Sequence, residues 1–114
     1  MATELVVGKA DDLADGQTVK FSFKENGERR EGFVVRWKGR LHAYRNECRH
    51  VPVSLDWVEN RFISRDGCFL QCAMHGALYE PDSGLCVDGP PTGEHLRRLE
   101  VIELMGDIVV TLPG

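Results

Sequence analysis

Four residues in two short motifs could hold a metal. Cys48-Arg49-His50 reads C-x-H, and Cys72-Ala73-Met74-His75 reads C-x-x-H. Each motif offers one cysteine and one histidine, which ligate as thiolate and neutral imidazole. Such close pairs suit loop tips, where one short segment can turn both side chains onto a common centre. On ligand type alone, a tetrahedral zinc ion held by Cys48, His50, Cys72 and His75 is a serious rival to an iron–sulfur centre.

The surrounding residues separate the two. Directly after the second motif comes His75-Gly76-Ala77-Leu78-Tyr79-Glu80-Pro81-Asp82-Ser83-Gly84, and Gly89-Pro90-Pro91 follows. This run resembles the H-G-x-x-(F/Y)-(D/E)-x-x-(S/T)-G pattern of the Rieske iron–sulfur family, and Gly89-Pro90-Pro91 resembles that family's proline loop. The resemblance implies one 2Fe–2S cluster held by Cys48, His50, Cys72 and His75. The two cysteines would bind the inner iron and the two histidines the outer one. Replacing two thiolates by imidazoles on one iron raises the reduction potential above that of an all-cysteine cluster.

Departures from the respiratory branch of the family point to a lower potential. That branch carries an extra cysteine in each ligand loop, and the two form a disulfide. The corresponding positions here are Val53 and Met74. Its serine two residues after the second histidine is replaced by Ala77, although Tyr79 keeps the aromatic position. Fewer hydrogen bonds to the cluster sulfurs mean a lower potential. A further departure is the stretch from Val51 to Gln71, 21 residues, which is longer than in simple Rieske ferredoxins.

The chain has four cysteines, so Cys68 and Cys86 fall outside the motifs. Both are expected on strands as buried thiols, since free cysteine behaves as a small hydrophobe. His42 and His95 sit in no ligand spacing and are read as packing or solvent-facing residues. Trp37 and Trp57 are read as packing residues, and Arg97-Arg98 as a solvated pair.

The elements that must present the motifs read as short strands. Residues 19–24 alternate apolar and polar at period 2, the mark of a half-buried strand. Asn26-Gly27 is a hairpin signal, and residues 30–37 form the return strand. Lys38-Gly39-Arg40 turns into a third strand over 41–46, which delivers the chain to Cys48. Asp66-Gly67 predicts a hairpin leading to Cys72. Residues 85–87 read as a short strand. Residues 96–104 and 108–112 form a last hairpin around Met105-Gly106-Asp107. The first 18 residues read as a short apolar start and a polar loop. No amphipathic helix is convincing, so the fold class is all-β. The resemblance makes this an antiparallel β-sandwich base carrying a small two-hairpin cluster-binding subdomain over about residues 46–91, within one domain spanning 1–114.

Composition agrees with a globular protein: 114 residues, 42% hydrophobic and 28% charged. No apolar run approaches a membrane span. The residues from Met1 to Val7 lack the basic region and apolar core of a secretory signal, so a cytoplasmic location is expected. A net charge of −4 argues against nucleic acid as a partner. The expected function is that of a soluble, single-domain Rieske ferredoxin, a one-electron carrier and not an enzyme. It would link a reductase to a terminal oxidoreductase, with an oxygenase as the expected acceptor. The alternatives are a small Rieske subunit of a larger, nitrite reductase-like complex and a zinc-stabilised binding module.

Overall fold

The computed structural model describes residues 3–46, 69–71, 77–89 and 91–112. Among the described residues nine strands follow one another: β1 (Thr3–Lys9), β2 (Thr18–Glu25), β3 (Glu28–Trp37), β4 (Arg40–Arg45), β5 (Leu70–Gln71), β6 (Leu78–Tyr79), β7 (Cys86–Asp88), β8 (Arg98–Leu104) and β9 (Asp107–Leu112). The described residues contain no α-helix; a 3-10 turn at Ala10–Asp12 follows β1. The expected all-β architecture is therefore present. Two elements go beyond the sequence pattern: β1, whose residues read as an apolar start, and the two-residue β6.

Six strands form an antiparallel, nearly closed sheet in the order β1-β9-β8-β4-β3-β2. Tight turns set its register. Asn26 and Gly27 both have positive φ, 53° and 79°, and so do Lys38 and Gly39, at 50° and 80°. Paired positive φ values make two-residue hairpin turns whose twist matches that of the flanking strands. They fix Glu25 opposite Glu28 and Trp37 opposite Arg40. The β8–β9 turn at Met105-Gly106 has the same form.

Inside the curled sheet lies one core. Phe23, Val34, Ala43, Leu99, Ile108, Val110 and Leu112 are buried there. A second core covers the outer face of β3 and β4. Phe33, Val35 and Tyr44 pack there with Leu70, Ala77, Tyr79, Cys86 and Leu96. Strands β5, β6 and β7 make a separate three-stranded sheet over this face. The middle of β3 is thus buried on both sides, and Phe33, Val34 and Val35 form a continuous apolar run. A strand covered on both faces needs such a run, because alternation would place polar groups in one of the cores.

Charged side chains finish the ends of the large sheet. Arg36 donates to the carbonyls of Leu13 and Ala10, tying the β1–β2 connection to the end of β3. At the opposite end Arg45 pairs with Glu25 through both terminal guanidinium nitrogens, and its Cζ lies 5.8 Å from the Phe23 ring centre.

Candidate metal centre

All four candidate ligands, Cys48, His50, Cys72 and His75, lie outside the described residues, as do Cys68, Trp57 and the Asp66-Gly67 turn. What the structure describes is the frame on either side of both motifs. Strand β4 runs toward the first motif and ends at Arg45. Asn46, the next residue, is buried, and its N–H donates to the Glu31 carbonyl at 2.9 Å. Strand β5 ends at Gln71, immediately before Cys72. Ala77, two residues after His75, is fully buried and leads straight into β6.

The return path is tightly built. Strand β6 turns back through Pro81, Asp82 and Ser83. Gly84 N–H donates to the Glu80 carbonyl at 2.8 Å, and Glu80 N–H to the Leu85 carbonyl at 2.9 Å. Ser83 Oγ donates to Glu80 Oε1 and accepts from Leu85 N–H. Gly84 needs a positive φ of 77°, and a Cβ there would stand 2.9 Å from the Tyr44 ring. The run from Glu80 to Gly84 therefore has a physical reason at each end: a turn to close and an aromatic ring to admit.

After β7, Gly89 has φ of 105°. A Cβ built on it would lie 2.8 Å from Ala77 Cα. The loop beyond closes on itself, with Thr92 Oγ1 donating to the Gly89 carbonyl at 2.6 Å and Glu94 N–H to that of Pro91 at 2.9 Å. Pro91 is buried. The start of the proline loop is thus packed directly on the exit of the second motif. Only glycine fits this space, so the frame holds the proline loop close against the exit of the second motif.

Three residues outside the motifs anchor this frame to the large sheet. Tyr44 is fully buried, and its hydroxyl donates to the Pro81 carbonyl at 2.8 Å. Burial pushes its pKa up to about 12, so it remains a neutral donor. Arg98 donates to the Asp82 carbonyl at 3.0 Å and meets His42 Nδ1 at 3.1 Å. Burial first, and then the Arg98 cation, lower the pKa of His42. Arg97 and Arg98 are both exposed, as expected of a solvated pair, and Arg98 in addition holds the frame through these two contacts. Nothing in the one-dimensional pattern marks Tyr44 or Arg98, because their partner turn lies far away along the chain.

The remaining assignments fall as follows. Cys86 is a buried thiol on β7, as expected, and donates to the Asp88 carbonyl at 3.2 Å. His42 is buried and His95 is exposed, on a bridge to Leu85. Trp37 is partly buried. Tyr79 is fully buried in the outer core. No group of three or more His, Cys, Asp or Glu side chains assembles among the described residues. None of the described helices is long and apolar enough to cross a membrane.

Comparison with known proteins identifies the frame. The Rieske [2Fe-2S] domain profile matches residues 3–108. Among curated proteins, the cytochrome b6-f complex iron-sulfur subunit of Chlorobaculum thiosulfatiphilum is 31% identical over 102 residues, covering 85% of this chain. The chain spans about half the length of that relative, 49%. Among solved structures, the ferredoxin of carbazole 1,9a-dioxygenase from Nocardioides aromaticivorans IC177 superposes with a TM-score of 0.69 at 22% identity. The match covers 98% of this chain and 99% of that one. The terminal oxygenase of carbazole 1,9a-dioxygenase from Novosphingobium sp. KA1 superposes with a TM-score of 0.76, also at 22% identity. Here the match covers 97% of this chain but 30% of the oxygenase. These structural likenesses concern the fold. The profile match and the curated relative place the chain in the Rieske [2Fe-2S] domain family, whose cofactor is a 2Fe–2S cluster.

Proposed function

We propose that the chain is a soluble, cytoplasmic Rieske ferredoxin, a one-electron carrier between a reductase and a terminal oxidoreductase, with an oxygenase as acceptor. Cys48 and Cys72 would bind one iron as thiolates, and His50 and His75 the other as imidazoles. When bound, the cluster supplies a single electron-accepting and electron-donating centre. The rest of the chain holds it: residues 46–91 form the cluster-binding subdomain of a single domain spanning 1–114. The described frame of β4, β5, β6 and the Gly89 loop fits that arrangement.

The observation that carries this reading is the Rieske profile match over residues 3–108. The fold likeness to a dioxygenase ferredoxin, with a TM-score of 0.69, supports it. Another solved structure, titled as a complex of reduced oxygenase and oxidized ferredoxin in carbazole 1,9a-dioxygenase, matches 94% of this chain with a TM-score of 0.72. It supports an oxygenase as the class of acceptor. The curated relative favours a second reading, a subunit of a larger electron-transfer assembly. Val53, Met74 and Ala77 weigh against the respiratory type of such a subunit.

The test is reconstitution. The purified protein should be red-brown, carry two irons per chain and give a Rieske EPR signal on reduction. It should then pass electrons from a ferredoxin reductase to a Rieske oxygenase at catalytic concentrations. A colourless protein with one zinc per chain would sink the proposal. Stable copurification with a large reductase or membrane complex would favour the subunit reading.

A further inference from the structure

We propose that Arg98 is a positioning residue for the redox centre, and that its grip requires a neutral His42. The proposal rests on the Rieske reading above. It begins with three contacts made by one guanidinium. Arg98 Nη1 donates to the Asp82 carbonyl at 3.0 Å. Its Nη2 lies 3.1 Å from His42 Nδ1. Its Cζ stands 5.9 Å from the centre of the Tyr44 ring. Tyr44 in turn donates to the Pro81 carbonyl. One side chain of β8 therefore joins β4 of the large sheet to the turn between β6 and β7.

Chemistry sets the direction of each bond. A guanidinium has donors only, so Nδ1 of His42 must accept and its ring proton must sit on Nε2. Protonating His42 removes that acceptor and sets an imidazolium N–H against a guanidinium N–H. His42 is 7% exposed whereas Arg98 is exposed, so the cost of the pairing falls on the imidazolium while water still solvates the guanidinium. The groups around the ring are Arg98 from β8, Asp82 from the turn, and Arg40 and Tyr44 from its own strand. The residue opposite on β3 is Val35, which is apolar. Burial, Arg98 and Arg40 favour the neutral ring, and Asp82 alone favours the charged one.

The turn that Arg98 grips is continuous with the ligand-bearing segments. At the far end of the same hairpin, β6 begins just after the second motif and β7 ends at Asp88, next to Gly89, which is packed on Ala77. Releasing Arg98 frees the turn at Asp82 from β8, leaving it held by the Tyr44 hydroxyl, by Leu96 N–H on the Gly84 carbonyl and by the outer core. The Asp82 end of the hairpin would then be held less firmly on the large sheet, and through β6 the exit of the second motif with it. Because burial and Arg98 lower the His42 pKa, the protein would enter this released state only on the acid side of the ordinary histidine range.

Amide hydrogen exchange and the midpoint potential, read together on the loaded protein from pH 4.5 to 8, test this. The exchange probes are Gly84 N–H, which donates to Glu80, and Leu96 N–H, which donates to Gly84. In the wild type, protection at both amides should fall and the midpoint should move together toward the acid end of this range, below the ordinary histidine pKa. His42→Gln keeps an acceptor at every pH and should abolish both acid responses. Arg98→Met should show lowered protection and a shifted midpoint already at pH 7, with no further acid response. An acid response that persists in His42→Gln overturns the proposal, and that variant decides it even if Arg98→Met folds poorly. Lost protection with an unmoved midpoint also overturns it, since Arg98 would then hold the turn without positioning the redox centre. Absence of a Rieske EPR signal in the wild type would instead sink the functional reading on which the proposal stands.

Discussion

Gly89 faces Ala77 so closely that a Cβ on the glycine would stand 2.8 Å from the alanine's Cα and 3.1 Å from its Cβ. No side chain fits between these two backbones. Gly89→Ala must push the start of the proline loop away from the exit of the second motif. Left-handed strain and overpacking each cost about 1–3 kcal/mol. The expected result is a lower melting temperature and fewer irons per chain. Gly93→Ala is the control from the same loop, with φ of 94° but open space around it. It should lose stability from backbone strain alone and keep its iron. Equal iron loss in both variants would show that the close approach is unimportant.

Tyr44→Phe removes the hydroxyl that satisfies the buried Pro81 carbonyl. Leaving such a group unpaired costs about 1–3 kcal/mol. Denaturant titration should find this loss near neutral pH. The alkaline behaviour follows from the raised pKa. The folded chain keeps the phenol proton up to about pH 12, while the unfolded chain releases it near the ordinary value of 10.0. Between these values the unfolded state binds fewer protons, so stability falls as pH rises. The phenylalanine variant should lack this component of the decline.

Cys86→Ser should leave the visible and EPR spectra intact, because the residue is buried on β7 with its own carbonyl partner at Asp88. The serine hydroxyl can make the same bond. Cys72→Ser should bleach the protein and destabilise it severely. Retention of the cluster in Cys72→Ser, or its loss in Cys86→Ser, would reassign the ligands.

The midpoint should lie near the bottom of the Rieske range, on the order of −150 mV. Ala77 supplies no hydroxyl to a cluster sulfur, and Val53 and Met74 leave no disulfide. The ligating imidazoles should keep their second protons near neutrality, so film voltammetry should find the midpoint flat around pH 7. Ala77→Ser should raise it. An unchanged value would mean that the new hydroxyl, confined beside Gly89, does not reach a sulfur.

Partner contact is expected at the histidine side of the cluster, around Arg49, Val51, Pro52, Met74 and Pro90, all outside the described residues. Few charges there suit a weak and small electron-transfer interface. Chemical-shift mapping with a reductase should perturb these residues. Perturbation confined to the β2–β3 hairpin would refute the assignment.

The sequence made local features easy to read. The Asn26-Gly27 turn, the hairpin at Met105-Gly106 and the strands they join follow from turn chemistry and period-2 alternation. The motif pair and the run after His75 led to the family through residue types alone. Strand β1 escaped because its apolar residues carry no turn signal before them; pairing with the distant β9 makes it a strand. Strand β6 is two residues long and exists because β5 and β7 flank it. The anchors Tyr44, His42 and Arg98 escaped for the same reason. Their roles depend on contacts across |i−j| of 37 and 56 positions, which no window on the sequence spans.

The two-faced burial of β3 and β4 has a consequence for the protein before it receives its cluster. The inner core is enclosed by six long strands, none of which carries a ligand motif, so it should form without iron. Among the described residues, the outer core has only strands of two and three residues above it. Isolated short strands are marginal in water, so a chain without its cluster would hold a formed barrel with Phe33, Val35, Tyr44 and Leu96 laid bare on one side. Such a half-built molecule would bind hydrophobic dyes and stick to its neighbours. Its maturation would then be a race between iron–sulfur delivery and aggregation through that uncovered face.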